Sequence, residues 1–174
     1  MLESQILLPV DELPTKWYNV IPDLPEPLPP PKEPETGPSR MGFLAKTMIK
    51  ECLNQEMSSK AWIAIPEEIR ELYIQAGRPR PLYRARRFER HLGLKKVRLY
   101  YKREDLSPTG SHKANTALAQ AYYAMKEGKT TLVTETGAGQ WGSALSYAAT
   151  VMGLNCVVFW VRNVYLSLIH ISEP

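Results

Sequence analysis

The apolar positions of this chain change texture along its length. Over residues 1–40 they are scattered among prolines and follow no period. From Met41 they recur at helical spacing. Ala45, Met48, Ile49, Cys52 and Leu53 share a face, which predicts an amphipathic helix over 42–57. Pro66-Glu67-Glu68 opens a second helix, with proline in its first turn and two carboxylates at the positive end of the helix dipole. That helix should run to Ala76 and stop at Gly77. Arg78-Pro79-Arg80-Pro81 reads as a loop, followed by a short basic helix over 82–92 with Leu82, Ala85, Glu89 and Leu92 on one side. The last third alternates. Val97, Leu99 and Tyr101 against Arg98 and Lys102 predict a strand, and 105–111 a turn. Ala114, Ala117, Leu118, Ala121, Tyr122 and Met125 line one helical face that Gly128 ends. A strand over 130–134, a glycine loop over 137–142, a helix over 140–152 and an apolar strand over 155–161 follow. Strand, helix, strand, helix, strand is the order of a parallel α/β sheet. The apolar character of 155–161 is that of a strand with helices on both faces.

Ten of the fifteen prolines fall within residues 1–40, and the run Pro22 to Pro31 excludes helix and central strand there. This segment should be an extended, polyproline-like arm. Trp17 and Tyr18 give it something to bury, so wrapping over the body is preferred to hanging free. The expected organisation is therefore an arm over 1–40, a helical region over 41–96, a βαβαβ unit over 97–165 and a tail over 166–174.

Composition narrows the class. At 44% hydrophobic and 23% charged, the chain matches an ordinary globular domain. No apolar run approaches the roughly 18 residues of a membrane span. The start, MLESQILLPVDELP, has no basic n-region of the secretory kind. Cys52 and Cys156 lie far apart, show no metal spacing and read as buried thiols of a reducing, cytoplasmic compartment. The net charge of +4 conceals an uneven distribution: residues 78–103 hold eleven basic side chains and one acid, Glu89. Such a stripe is one footprint of nucleic-acid binding. No nucleic-acid motif accompanies it, and a solvated helix face is the preferred reading.

Two loops carry candidate chemistry. In Ser107-Pro108-Thr109-Gly110-Ser111-His112-Lys113-Ala114-Asn115, a small-residue turn leads into a helix start. Free amides and the dipole there suit a phosphate. They also disfavour the ammonium form of Lys113, as an amine forming a Schiff base requires. The plain alternative is a helix start capped by Ser111, with Lys113 in solvent. In Thr134-Glu135-Thr136-Gly137-Ala138-Gly139-Gln140-Trp141-Gly142, the glycines match G-x-G-x-x-G, so a dinucleotide site is a rival. Against it, Glu135 would repel a pyrophosphate, and Val161-Arg162-Asn163 stand where a ribose-binding acid is expected. The loop better suits a small carboxylate. A tight turn with a buried, paired Glu135 is the structural alternative. A lysine nucleophile beside an amino-acid carboxylate cradle points to imine chemistry, for which pyridoxal phosphate is the usual cofactor.

Ser107 to Asn115 and Glu135 to Gly142 resemble the β chain of tryptophan synthase, a fold-type II pyridoxal-phosphate family. The proline-rich arm, Trp141 after G-A-G-Q, the run Trp62 to Arg70 and the pair Tyr122-Tyr123 resemble its second, longer type. The similarity runs over about residues 10–162. It implies an incomplete α/β parallel-sheet fold, the N-terminal portion of that architecture. It also implies a carbon–oxygen lyase using pyridoxal 5'-phosphate, joining L-serine to indole, or to indole-glycerol phosphate through an α subunit, to give L-tryptophan. By that resemblance Lys113 carries the cofactor, and His112, Asn115 and Gln140 lie beside it. Glu135 acts on indole, and Thr136, Gly137, Ala138, Gly139, Gln140 and Trp141 bind the substrate carboxylate. A homodimer is implied, with neither nucleic acid nor membrane as partner. A serine or threonine dehydratase of the same fold is the nearest rival, against which Glu135 argues. Arg80 departs from the family, whose R-P-x-P-L segment usually has threonine or serine. The family continues well past this sequence, and Leu166 to Pro174 resembles translated adaptor rather than the family. The expectation is an N-terminal fragment, inactive by itself, with no role for His170.

Overall fold

A computed structural model describes residues 4–30 and 32–171. Residues 1–3, Pro31 and 172–174, and with them parts of the arm and of the tail, lie outside the described residues.

The arm wraps through its pairing strands and Trp17, while Tyr18, also expected to be buried, stays exposed. Strand β1 (Gln5–Ile6) is the first of its two pairing segments, and β2 (Lys16–Tyr18) the second. Leu13 lies between them at 3% exposure, inside the core, and Trp17 packs against that core. The proline run beyond Leu24 is exposed and forms neither helix nor strand among its described residues. Prolines there remove the amides that would pair.

The predicted helix over 42–57 is two helices, α1 (Arg40–Thr47) and α2 (Lys50–Glu56). Met48 and Ile49 between them are extended. The second helix starts against a tertiary partner. Glu127, far along the chain, accepts a hydrogen bond from the Glu51 amide at 2.9 Å. That carboxylate satisfies one of the donors a helix start leaves open. The break also lets Ile49 pack on the core, whereas no residue of α1 is buried. The next helix starts and stops as predicted. β3 (Trp62–Ala64) pairs antiparallel with β2, and α3 (Glu67–Gln75) follows Pro66 and ends before Gly77, whose φ of +82° only glycine adopts readily.

Two further expectations are corrected. Leu82–Arg84 is not helical: it is strand β4, and only α4 (Arg86–His91) remains of the basic helix. The strand predicted from Val97 begins later, as β5 (Tyr100–Lys102), and does not join the parallel sheet. It pairs antiparallel with β4, and β4 pairs antiparallel with β1. Tyr83 stacks on Tyr101 across this ladder at 5.9 Å between ring centroids. That cross-strand aromatic pair favours the antiparallel register.

The remainder follows the expected alternation through α5 (Lys113–Lys126), β6 (Thr131–Thr136), α6 (Gln140–Val151) and β7 (Asn155–Trp160); the helix that follows, α7 (Arg162–Ile171), was not predicted and runs into the segment expected to be a tail. β6 and β7 are parallel, in register from Thr131↔Asn155 to Thr136↔Trp160. The α/β class therefore holds, with one βαβ unit in place of the predicted βαβαβ. α5 and α6 meet through alanines (Ala114, Ala117, Ala121, Ala144, Ala148), all fully buried, which lets the helices approach closely around Leu118 and Leu145. α6 covers one face of the strand pair. The other face is open, with Val133 64% and Phe159 63% exposed, so the expected helices on both faces are not found among the described residues.

The basic stretch divides: Arg87, Arg90, Lys95, Lys96 and Arg98 are exposed, and others turn to internal contacts. Arg84 pairs with Glu89, Arg103 with Asp105, Arg78 lies over the Tyr73 ring and Arg80 is buried. Cys52 and Cys156 are free and half-buried. Burial, with Glu127 and Glu51 nearby, pushes the Cys52 thiol above its ordinary range. No described helix is long and apolar enough to cross a membrane.

Candidate active site

The first loop leaves β5 through a 3-10 turn, Glu104–Leu106. It then closes on itself. The Ser107 hydroxyl donates to the Ser111 carbonyl at 2.6 Å and accepts from the Ser111 amide at 2.7 Å, with both serines buried. Gly110, at φ +66°, supplies the left-handed step. Lys113 is the first residue of α5, and its amide donates to Ser111 Oγ at 3.2 Å. Fully buried Ala114 anchors the next position, which fixes where the lysine stem leaves the helix. Lys113 is half-exposed, and its ammonium has no hydrogen-bond or ion-pair partner among the described residues. His112 precedes it and is exposed. Thr109 Oγ1, in the same turn, is buried and without a hydrogen-bond partner, a cost that a bound polar group would remove.

Asn115 faces differently from its expected role. Its Oδ1 accepts from Arg80 at 3.2 Å and its Nδ2 donates to Glu104 at 3.2 Å. A cleft of about 480 Å³ opens on this side of α5, between Trp17, Tyr73, Arg78, Asn115 and Tyr123. Lys113 does not line it.

The second loop is the turn from β6 into α6. Thr136 is 3% exposed, and its Oγ1 accepts the Gly142 amide at 3.2 Å. Gly139 takes φ +92° as the residue preceding the helix. A Cβ there would lie 2.7 Å from the Trp160 ring, and a Cβ on Gly142 would lie 2.8 Å from Val158 Cγ1. Each of these glycines therefore has a steric cause. Trp160 Nε1 donates to the Gly137 carbonyl at 2.6 Å, so the end of β7 clamps the loop. Gly137, Ala138 and Gln140 are exposed. The Trp141 indole turns back to donate to Thr134 Oγ1 at 2.8 Å. Glu135 is exposed on the open face of the strand pair, directly opposite Phe159. The structural alternative, a buried and paired Glu135, is thus not what the fold shows.

The fold gathers Thr136 to Trp141 into one turn at the carboxyl end of a parallel strand, where ligands bind in such sheets. Lys113 begins a helix packed against α6. The two loops do not follow neighbouring strands of one sheet, because β5 belongs to the antiparallel ladder. No hydrogen bond or ion pair among the described residues joins Lys113 to Glu135. Arg80, Glu104, Thr109 and Trp160 contribute to these loops without having been assigned a part from sequence. Arg80 had a signal, its departure from the R-P-x-P-L pattern. Trp160 had none beyond apolar character in a strand.

Comparison with known proteins places both loops inside one match. The family model described as "Pyridoxal-phosphate dependent enzyme" covers residues 73–167. The chain is 54% identical over 159 residues to "Tryptophan synthase beta chain 2" of Methanothermobacter thermautotrophicus, covering 91% of this chain and 37% of that protein. It is 52% identical over 162 residues to the protein of that name from Pyrococcus furiosus, covering 92% of this chain and 36% of the relative. It is also 52% identical over 152 residues to "Tryptophan synthase beta chain" of Pyrobaculum aerophilum, covering 87% and 37%. The chain thus spans little more than a third of the length of these relatives. A free lysine at a helix start, a glycine turn at the carboxyl end of a parallel strand and a family match over more than half of its length agree: the chain belongs to the pyridoxal-phosphate dependent enzymes.

Proposed function

We propose that the protein of which this chain is a part joins L-serine to indole, giving L-tryptophan with loss of water. The observation that carries the reading is the unpaired Lys113 at the start of α5, in a match with tryptophan synthase β chains. The residues present fit pyridoxal phosphate. Lys113 would hold it by its amine, the partnerless Thr109 hydroxyl would offer a donor to an anionic group, and the exposed His112 and Gln140 would lie beside it, while Asn115, engaged by Arg80 and Glu104, would act from behind the lysine. When bound, the cofactor supplies an electron sink for charge that develops at the substrate's α-carbon.

The chain's own residues do the rest. The turn over Thr136 to Trp141, exposed at Gly137, Ala138 and Gln140, binds the serine carboxylate through its backbone amides, and the Trp160 clamp on Gly137 holds that turn in shape. The Lys113 amine takes the α-proton and later returns it. The Glu135 carboxylate meets the indole N–H, stabilises the positive charge that appears there as C3 attacks, and accepts the proton. The exposed row Val133, Val157 and Phe159 gives the flat apolar substrate a surface beside Glu135. The supply of indole by an α subunit, a homodimeric assembly and a cytoplasmic location belong to the same reading, the last in keeping with two free thiols.

The test uses the full-length protein. Borohydride reduction in the presence of pyridoxal phosphate, followed by mass spectrometry, should place a pyridoxyl group on Lys113, and Lys113→Ala should abolish it. Glu135→Ala should retain the label and lose tryptophan formation. Tryptophan formation unchanged in Glu135→Ala overturns the role of that residue. Ammonia and a keto acid from serine, with no tryptophan when indole is added, would favour a dehydratase.

A further inference from the structure

Arg80 is among the most buried residues of the chain, at 2% exposure, although it sits in a loop. Its fork reaches three elements. Nη2 donates to the Ala76 carbonyl at the end of α3 at 2.7 Å. Nη1 donates to Glu104 Oε2 at 3.1 Å, in the turn after β5. The same nitrogen donates to Asn115 Oδ1 at 3.2 Å, in the first turn of α5. Asn115 Nδ2 closes the triangle on Glu104 Oε2 at 3.2 Å. The Arg80 carbonyl in turn accepts from Lys102 Nζ on β5. A planar guanidinium can serve these directions together, whereas an ammonium or a hydroxyl cannot. The ion pair has the burial of a structural bridge: removing one partner leaves the other charge uncompensated.

We propose that Arg80 is a positioning residue for the cofactor site: acting through Asn115, it fixes the first turn of α5 and so the point from which Lys113 projects. The link is short. Asn115 is two residues past Lys113 in the same turn, and both ends of its amide are held by the Arg80–Glu104 pair. The Ser107–Ser111 closure holds the N-terminal side of Lys113, and Arg80 holds the other side. This places the lysine between two anchors without engaging its amine. Burial disfavours the Arg80 charge and Glu104 offsets that cost, so the bridge depends on both members.

The inference rests on the reading that Lys113 carries pyridoxal phosphate, and the experiment separates the two. Hydrogen exchange of the peptide over residues 111–118 is measured without cofactor, in full-length protein, for the parent, Arg80→Thr, Asn115→Ala and the double variant. The rate of pyridoxyl labelling of Lys113 is measured for the same four. Arg80→Thr should speed exchange in that peptide about tenfold and slow labelling several-fold, the loss expected of a buried charge-assisted bond. Asn115→Ala should do the same, and the double variant should add nothing further. Unchanged exchange in Arg80→Thr, or additive effects in the double variant, overturns the proposal. If Arg80→Thr does not fold, Asn115→Ala decides by the same criterion, with unchanged exchange and labelling counting against it. Absence of label on Lys113 in the parent overturns the cofactor reading and leaves the exchange result to judge Arg80.

Discussion

Alanine in place of Gly142 sets two known effects against each other. In a helix interior, alanine is favoured over glycine by about 1 kcal/mol. Here the added methyl would stand 2.8 Å from Val158 Cγ1 and 3.2 Å from Thr136 Cγ2, closer than packed carbons approach. Relieving that overlap means lifting α6 from the strand pair or rotating Val158, at about 1–3 kcal/mol. Lifting α6 also stretches the bond from the Gly142 amide to Thr136 Oγ1, now 3.2 Å and worth about 1 kcal/mol. The two costs outweigh the helical gain, and Gly142→Ala should destabilise by about 2 kcal/mol. Urea unfolding of the chain should show a lower midpoint at unchanged slope. Val158→Ala makes room for the new methyl, so the pair should be coupled by about 1 kcal/mol in a double-mutant cycle. A raised midpoint for Gly142→Ala, or strict additivity with Val158→Ala, would refute the claim that close helix–strand packing requires this glycine.

Glu89 is 6% exposed and accepts two bonds from Arg84 at 2.9 Å and one from the Leu99 amide at 2.8 Å. The hydrogen bonds from Arg84 hold its carboxyl below the ordinary range. A lowered folded value means stabilisation that is full above the unfolded carboxyl range of about 4.3 and is lost as pH falls through the folded value. Glu89→Gln should flatten stability against pH in that acid region, and an unchanged acid slope would count against the pair. Trp160→Phe keeps the ring but removes the bond to the Gly137 carbonyl, worth about 1 kcal/mol. Amide exchange over 137–141 should rise with little change at α5; equal exchange in both proteins would mean that the clamp does not set the loop.

The long elements were legible because they carry several turns of one period. α5, β6, α6 and β7 have nearly the predicted bounds, and Gly77 and Gly128 stop their helices as glycine at positive φ should. The misses share a cause. β4 and β5 are three residues each, too short to display alternation, and what makes them strands is a partner distant in sequence. The start of α2 is met by Glu127, which no local window contains. At the site, Lys113, Glu135 and the glycine turn were visible as motifs. The support beneath them was not. Arg80 was visible as a departure, but its three partners come from three elements, and the Trp160 clamp exists only once β7 lies beside β6.

The arm imposes an order on folding. Its backbone partners come late: Gln5 pairs with Tyr83, and Trp17 with Ile63. During synthesis, at about 5–20 residues per second, β1 waits on the order of 4–15 s for the strand that will receive it. Throughout that interval Gln5 and Ile6 have no ladder to join. The arm is therefore the last part of the N-terminal half to close and the first available to a chaperone. A fusion placed before Gln5 would be present during that closing step, so its bulk should slow maturation more than it weakens the finished fold.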